Sequence, residues 1–374
     1  MKIAVVGGGP AGLYFAYLWR RKHPSAEITL FEQNAASATF GFGVVFSDRA
    51  LDFLRADDPE TVEAIAPHME RWRDMTLVHR GECVTIDGVG FSAIGRLELL
   101  KLLQARVASV GIEPTFERRI EKPEDLKSFD IVIAADGVNS LLRSAYPQFQ
   151  TRTDLFRNKF IWFGTTKRFE TLTQTFIECE YGTLNAHHYR YASDKSTFII
   201  ECDQETFVRG GFENLAQDAN KALCERLFAK TLDGHKLISN KSLWRDFPWI
   251  WNERWSHENV VLVGDALHTA HFSIGSGTRL AFEDSIALVK ALESEISIPA
   301  ALARYEAERK PVVEKIVKAS RTSASWYENF PEHMKLAPLD FAMSYIMRSG
   351  RIDDTRLRAM SPQFMMHYET ARRR

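Results

Sequence analysis

The sequence predicts an α/β fold with an inserted antiparallel sheet and a helical C-terminal tail, and three observations carry that expectation. The chain opens on an apolar run, a glycine turn, a helical stretch and a second apolar run, the order of one βαβ unit. Uninterrupted apolar runs return at 129–135 and 260–263, as strands of a parallel sheet covered on both faces require. Between them, from about 158 to 207, the texture changes to β-branched and aromatic runs separated by turn residues, the pattern of antiparallel strands.

The first strand spans 3–6; a helix from about 12 to 22 comes next, stopped by Pro24, and the second strand, 28–31, ends at Glu32. A glycine-rich loop at 41–45 and a polar helical stretch from about Asp48 come after it. The strand 91–94 leads into a helix near 96–110, whose Leu97, Leu99, Leu100, Leu102 and Leu103 are expected to pack on a sheet. Asp136-Gly137 closes the strand at 129–135, and the inserted sheet holds runs at 160–163, 175–177 and 197–200. A helix at about 213–231 precedes the return to the first domain, where Gly264-Asp265 closes the strand 260–263. The rest is helical, with a long segment at about 299–327 in which Pro311 predicts a kink or a break. The expected division is a discontinuous first domain, 1–75, 93–156 and 256–374, and a sheet domain, 76–92 and 157–255.

A chain of 374 residues suits two domains around one large core. Hydrophobic residues at 45% and charged residues at 26% exclude a disordered or fibrous chain, and a net charge of -1 argues against a nucleic-acid binder. Cys83, Cys179, Cys202 and Cys224 form no Cys-x-x-Cys pair, so neither a metal site nor a redox dithiol is expected, and a reduced, cytoplasmic protein is. The start runs straight into the glycine turn without a signal-peptide pattern, and no run approaches the roughly 18 apolar residues of a membrane span.

In Gly7-Gly8-Gly9-Pro10-Ala11-Gly12, side chains are missing where a dinucleotide pyrophosphate must approach amides at a helix N-terminus. Glu32 stands about twenty residues after Gly12, at the strand end where a carboxylate accepts ribose hydroxyls. Strand, turn, helix, strand and acid together point to a dinucleotide site, with FAD and NAD both open at this stage.

Two later segments, Asp136-Gly137-Val138-Asn139-Ser140-Leu141-Leu142-Arg143 and Gly264-Asp265-Ala266-Leu267-His268, resemble motifs of single-component flavin-dependent aromatic hydroxylases of the para-hydroxybenzoate hydroxylase type. The resemblance covers essentially the whole chain. It implies a Rossmann-like FAD-binding domain, with Asp265 on the ribityl chain and Asp136-Gly137 supporting the pyrophosphate region and nicotinamide access. Arg96 matches that family's Arg-x-x-Leu element and is expected to contact the cofactor. The plain alternative is that both aspartates cap strand ends.

After Asp265 the sequence departs from that family, which usually has a Pro-Pro pair and a later Asn near the flavin ring. Here the chain reads His271-Phe272-Ser273-Ile274-Gly275-Ser276-Gly277-Thr278-Arg279, with Arg279 at the Asn position. This loop and Phe40-Gly41-Phe42-Gly43-Val44-Val45-Phe46-Ser47-Asp48 resemble a subgroup holding salicyloyl-CoA 5-hydroxylases, the monooxygenase part of 2-aminobenzoyl-CoA monooxygenase/reductases and the violacein-pathway tryptophan hydroxylase. Gly43, Val44, Gly275, Gly277, Thr278 and Arg279 are therefore expected around the flavin. The tail from Phe341 to Ile352 resembles the acyl-CoA members more closely, and the short stretch beyond Ile352 leaves no room for a reductase domain, so hydroxylation alone is expected.

The resemblance implies FAD reduced by NADH or NADPH, O2 added to give a flavin C4a-hydroperoxide, and oxygen passed to an aromatic ring, salicyloyl-CoA giving gentisyl-CoA. The protein's share is to hold the ring and exclude water. A phenol is activated by removing or sharing its proton, which makes His271, His187, His188 and Tyr189 the candidates. Because neighbouring strand residues point to opposite faces, only one of His187 and His188 should face the pocket. His268 is expected to brace its turn, Trp162, Phe163, Trp244 and Phe247 are available to wall a pocket, and Arg71, Arg73, Arg348 and Arg351 are available for CoA phosphates. The expected partner is a small aromatic molecule met by a monomer or homodimer. Three other readings remain: a hydroxylase of a free indole or tryptophan-type substrate, a flavin reductase or oxidase of the same fold, and a nucleotide-sensing or scaffold protein that binds FAD without turnover.

Overall fold

The computed structural model describes residues 1–47 and 51–373. A five-stranded sheet lies at the centre of the first domain, in the order Ser256–His257, Val260–Leu262, Ile131–Ala134, Lys2–Val6 and Glu27–Phe31. Every pair is parallel except the short edge hairpin. One row crosses four strands, Val261 opposite Ile133, Ile133 opposite Val5 and Val5 opposite Leu30, and all four side chains are buried. This is why these strands read as continuous apolar runs: helices cover both faces. Ser285 Oγ on the helix Gly277–Ser294 donates to the Ala11 carbonyl at 2.9 Å and ties it to the helix Pro10–Lys22.

The first strand has Glu27–Phe31 on one side and Ile131–Ala134 on the other, so the chain reverses its direction of travel there. A crevice opens at such a reversal, at the carboxyl ends of the strands. Three strand ends meet in it, carrying Gly7, Asp136-Gly137 and Gly264-Asp265.

The second sheet has eight strands, built on the antiparallel run Thr151–Thr165, Lys195–Cys202, Gly182–Ala192 and Leu172–Cys179. It is not purely antiparallel, because Met75–His79 joins Leu172–Cys179 in parallel before turning back through Glu82–Ile86. Its ladder sorts side chains by face: Trp162, Ile199, His187 and Gln174 stand in one row, and Phe163, Phe198, His188 and Thr173 in the next, on the opposite face. A small third sheet pairs Gly43–Ser47 with Phe91–Gly95, and Phe91–Gly95 with Glu70–Trp72.

Two expectations change, and a third falls partly outside the described residues. The helix expected over 213–231 is broken into Phe212–Asn214, Gln217–Leu227 and Ala229–Leu232, because Gly211 turns left-handed at its start and Phe228 leaves helical geometry. The segment with Pro311 is neither broken nor shortened but runs as one helix, Ile298–Glu328; Arg309 and Val313, on either side of the proline, are both buried and hold it against the core. The polar helical stretch expected from Asp48 starts outside the described residues, and helices Asp52–Asp57 and Pro59–Ile65 come after it.

Candidate active site

The glycine turn can approach a phosphate only because side chains are missing. Gly7 has φ 111°, and a Cβ on it would sit 2.2 Å from the Ala135 carbonyl oxygen; one on Gly12 would sit 2.0 Å from the Gly7 oxygen. Gly9 is different, since a Cβ there would meet no protein atom within 4 Å. It precedes the helix that begins at Pro10, and no side chain caps that helix, so its first-turn amides stay open beside Ala11 and Gly12. Glu32 accepts from the Gly8 amide at 2.7 Å and from the Asn34 amide at 2.8 Å, which fixes the carboxylate at the mouth of the turn. This cradle fits a pyrophosphate and its ribose.

Asp136 accepts from the Leu141 amide at 2.8 Å and the Leu142 amide at 3.4 Å, ahead of the helix Leu141–Ala145, whose N-cap is Ser140, accepting from the Arg143 amide at 3.0 Å. Burial pushes the Asp136 carboxyl up. Arg143 does what the sequence did not announce: it donates to the carbonyls of Gly137, Val138 and Ala266, clamping two strand-end loops together. Asp284 holds the second loop from below, accepting from the Gly264 amide at 3.1 Å while paired with His268 at 2.9 Å and Arg309 at 3.0 Å. Burial opposes the Asp284 carboxylate, but these two partners win and keep it below the usual range. His268 therefore sits as a brace.

Asp265 is exposed, yet the protein around it desolvates its carboxyl and raises its pKa, with Arg96 and then His268 opposing. A group both accessible and desolvated lines a deep cleft rather than a surface. Arg96 shares that cleft: desolvation lowers its pKa, and Asp265 counters. Gly43 pairs with Gly95 across the small sheet, and the Arg96 amide donates to the Phe42 carbonyl at 2.7 Å, bringing Gly43 and Val44 to the same wall. Gly275, left-handed at φ 59°, lies against Val45, 3.0 Å from where its Cβ would be, so the loop through Gly277 and Thr278 closes over this strand.

Beyond the cleft lies an aromatic recess. Its wall holds Phe156 and Phe247, 5.1 and 4.9 Å from the His271 ring, and Phe160, 5.2 Å from Phe272; all four phenylalanines are half-buried. His271 Nδ1 accepts from the Ser273 amide at 3.3 Å, which leaves the ring proton on Nε2. His187 stacks on Tyr327 at 5.0 Å, and its Nδ1 meets Gln174 Nε2 at 2.9 Å. Burial drives both imidazoles to the neutral form, His271 to about 4 and His187 to about 3; Arg348 acts in the same sense on both, and Glu201 opposes it at His271. His188 lies on the opposite face, packed between Phe169 and Phe198.

Tyr189 does not present its hydroxyl to this recess. It donates to the Gly43 carbonyl at 3.0 Å, so it steadies the glycine-rich loop. Arg279 is committed to Glu283 at 2.8 Å, one turn along its own helix, and lies over the Phe53 ring. Phe247 alone of the four suggested wall aromatics reaches His271, while Phe163 and Trp244 pack on the far side of the sheet and Trp162 covers Gly41. Sequence reasoning missed Glu201, Asn158, Gln174, Tyr327 and Tyr345. A carboxylate in the apolar run Phe198-Ile199-Ile200-Glu201-Cys202 was the available signal for the first.

A nucleotide cradle joined by a desolvated cleft to an apolar recess is the layout of an oxidoreductase that presents a cofactor ring to an enclosed substrate. Comparison with known proteins agrees: residues 95–320 match the FAD binding domain family and residues 5–43 match the NAD(P)-binding Rossmann-like domain family. A salicyloyl-CoA 5-hydroxylase of Streptomyces sp is 40% identical over 93% of this chain and 70% of its own length. A 3-hydroxy-4-methyl-anthranilyl-[aryl-carrier protein] 5-monooxygenase of Streptosporangium sibiricum is 36% identical over 89% of this chain and 90% of its own. A protodeoxyviolaceinate monooxygenase of Chromobacterium violaceum is 33% identical over 93% and 94%. The solved structure of a probable FAD-dependent monooxygenase from Pseudomonas aeruginosa shares the fold, with TM-score 0.68 at 19% identity over 88% of this chain and 96% of that one. The chain belongs to the FAD-dependent monooxygenases, the aromatic hydroxylase family, and works with FAD, NAD(P)H and O2.

Proposed function

We propose that this monooxygenase hydroxylates the ring of an aromatic acyl-CoA thioester, with salicyloyl-CoA to gentisyl-CoA as the best-supported reaction. The observation that carries the reading is the recess itself: half-buried phenylalanines around two neutral histidines suit an aromatic ring and shut out water. The thioester is supported by the 40% identical relative and by basic residues outside the recess. Desolvation, then Arg279 and Arg356, depress the pKa of Arg351, so three cations are gathered near the tail, as phosphates require; Arg71 and Arg73 are exposed elsewhere.

FAD, when bound, supplies the activation of O2 after reduction by NAD(P)H. The rest falls to the chain. In this reading Gly7, Gly9, Pro10, Ala11, Gly12 and Glu32 hold the pyrophosphate and ribose, Asp265 and Arg96 the ribityl end, and Gly43, Val44, Gly275, Gly277 and Thr278 flank the ring. Asp136, Gly137 and Arg143 set the shape of the crevice, and the eight-stranded sheet carries the substrate. In this reading His271 donates its Nε2–H to the substrate's hydroxyl oxygen, and His187 is the second candidate. Four free cysteines fit a reducing, cytoplasmic setting, and among the described residues no helix is long and apolar enough to cross a membrane.

The test is to purify the protein, record its absorbance, and supply salicyloyl-CoA with NADH and with NADPH while the product is identified by mass. A gain of one oxygen on the thioester is the expected result. Turnover of free salicylate or an indole alone would remove the thioester, and NAD(P)H oxidation without oxygen insertion would remove hydroxylation.

A further inference from the structure

We infer that Arg348 is the counter-cation of the aromatic recess, receiving the ring hydroxyl of the substrate as its oxyanion and so selecting hydroxyaryl rings over unsubstituted ones. The substrate class rests on the function proposed above; the charge in the recess does not. Arg348 comes directly after the helix Pro338–Met347, and its guanidinium lies 3.8 Å over the Tyr345 ring and 5.7 Å from that of Tyr327. Nη1 donates to the Tyr345 carbonyl at 2.9 Å and Nη2 to the Ser273 carbonyl at 2.8 Å, in the loop that carries His271. Nε is buried with no partner. Arg348 thus belongs to the recess and not to the mouth, where the sequence had offered it for phosphates.

No described carboxylate forms an ion pair with it. The groups that face it come from the neighbouring elements: His187 from Gly182–Ala192, His271 from its loop, Tyr327 from the end of Ile298–Glu328, and Tyr345 from its own helix, with Glu201 of Lys195–Cys202 next to His187. Burial favours the neutral form of all five. Glu328, which also acts on Glu201, is paired with Arg157 at 3.6 Å. Arg348 therefore brings a positive charge to the recess with a buried Nε that has no partner and no ion pair among the described residues, an arrangement that a ligand's anion would complete. An aryl thioester has no carboxylate; its only ionisable group near the ring is the hydroxyl, and its ionised form is the most electron-rich ring for oxygen to attack.

The experiment uses oxidised holoenzyme without NAD(P)H, so that nothing turns over. Salicyloyl-CoA and benzoyl-CoA, which lacks the hydroxyl, are titrated into wild type, Arg348→Met and Arg348→Lys, with difference spectra read across pH. Wild type should prefer salicyloyl-CoA by at least about tenfold, the worth of one hydrogen bond to a charged group, and should show bound phenolate absorbance at neutral pH. Arg348→Met should bring the two ligands near parity and return the phenol spectrum, with benzoyl-CoA affinity and flavin content kept; Arg348→Lys should restore part of the preference. A neutral phenol bound to wild type, an unchanged preference in Arg348→Met, or equal weakening of both ligands would each overturn the proposal. If neither thioester binds, the proposed substrate class falls, and salicylamide against benzamide decides Arg348 by the same criteria, the absence of a preference there counting against it.

Discussion

His187 Nε2 lies 3.5 Å from Glu201 Oε2, and neither atom has another partner although both side chains are buried. The Tyr327 hydroxyl donates to Gln174 Oε1 and Gln174 Nε2 to His187 Nδ1, which turns the His187 Nε2–H toward Glu201. Asn158 donates to the other Glu201 oxygen at 2.8 Å. Burial raises the Glu201 pKa first, with His271 and Asn158 opposing. A carboxyl raised in the native state holds a proton that the unfolded chain has lost, so stability falls as pH climbs from the ordinary carboxylate range to the raised value. Glu201→Gln should keep the fold and remove that fall, whereas Glu201→Ala should cost about 1–3 kcal/mol by orphaning Asn158 and His187. Urea unfolding across pH reads both, and equal loss in the two variants would mean that the native carboxyl is ionised.

The two histidines act with the opposite sign. His271 is held at about 4 and His187 at about 3 against an ordinary 6.5, so below 6.5 the unfolded state takes up protons that the native state refuses. Stability should therefore drop as pH falls from 6.5 toward those values, with a slope of up to about 1.4 kcal/mol per pH unit for each ring. His271→Asn and His187→Gln should each flatten the acid limb of a melting-temperature profile. A profile as steep as wild type in both would show that neither ring is neutral in the native protein.

The sequence discloses the nucleotide end far better than the ring end, for a physical reason. A cradle for phosphate is local: Gly7, Gly9 and Gly12 must stand at fixed spacing because Cβ atoms at two of them would strike backbone. Asp136 and Gly264-Asp265 likewise stand at the ends of apolar strands that are visible in one dimension. The recess is assembled from Asn158, Gln174, His187, Glu201, His271, Tyr327 and Arg348, which only the ladder register and the packing of a long helix bring together. Strand alternation did separate His187 from His188, since it needs no tertiary information. The contacts of Tyr189 with Gly43 and of Arg279 with Glu283 are likewise invisible in one dimension.

Arg143 should behave as a positioning residue for the cofactor. Its guanidinium joins the Gly137–Val138 loop to Ala266 beside Asp265, and no carboxylate among the described residues pairs with it. Arg143→Met is expected to cost about 1–3 kcal/mol of apoprotein stability and to weaken FAD binding on the order of tenfold, because both loops lose their shared anchor. Fluorescence titration of apoprotein with FAD measures the second effect apart from turnover. Unchanged FAD affinity would confine Arg143 to folding.

Gly9 and Gly12 separate the cofactor's space from the protein's. A Cβ on Gly12 would lie 2.0 Å from the Gly7 oxygen and 3.1 Å from Val5, so Gly12→Ala should overpack the turn, costing about 1–3 kcal/mol in the apoprotein and losing FAD as well. Gly9 has φ -78° and ψ 179°, which alanine adopts without strain, and a methyl there would meet no protein atom. Gly9→Ala apoprotein should therefore unfold within about 0.5 kcal/mol of wild type. Its methyl would nevertheless stand where a phosphate oxygen must reach the open amides of the helix that starts at Pro10, so FAD affinity should fall by at least about tenfold, the worth of one charged hydrogen bond. Urea unfolding of the apoproteins and FAD titration give the two readouts independently. A Gly9→Ala protein that binds FAD like wild type would place the pyrophosphate somewhere other than over this turn.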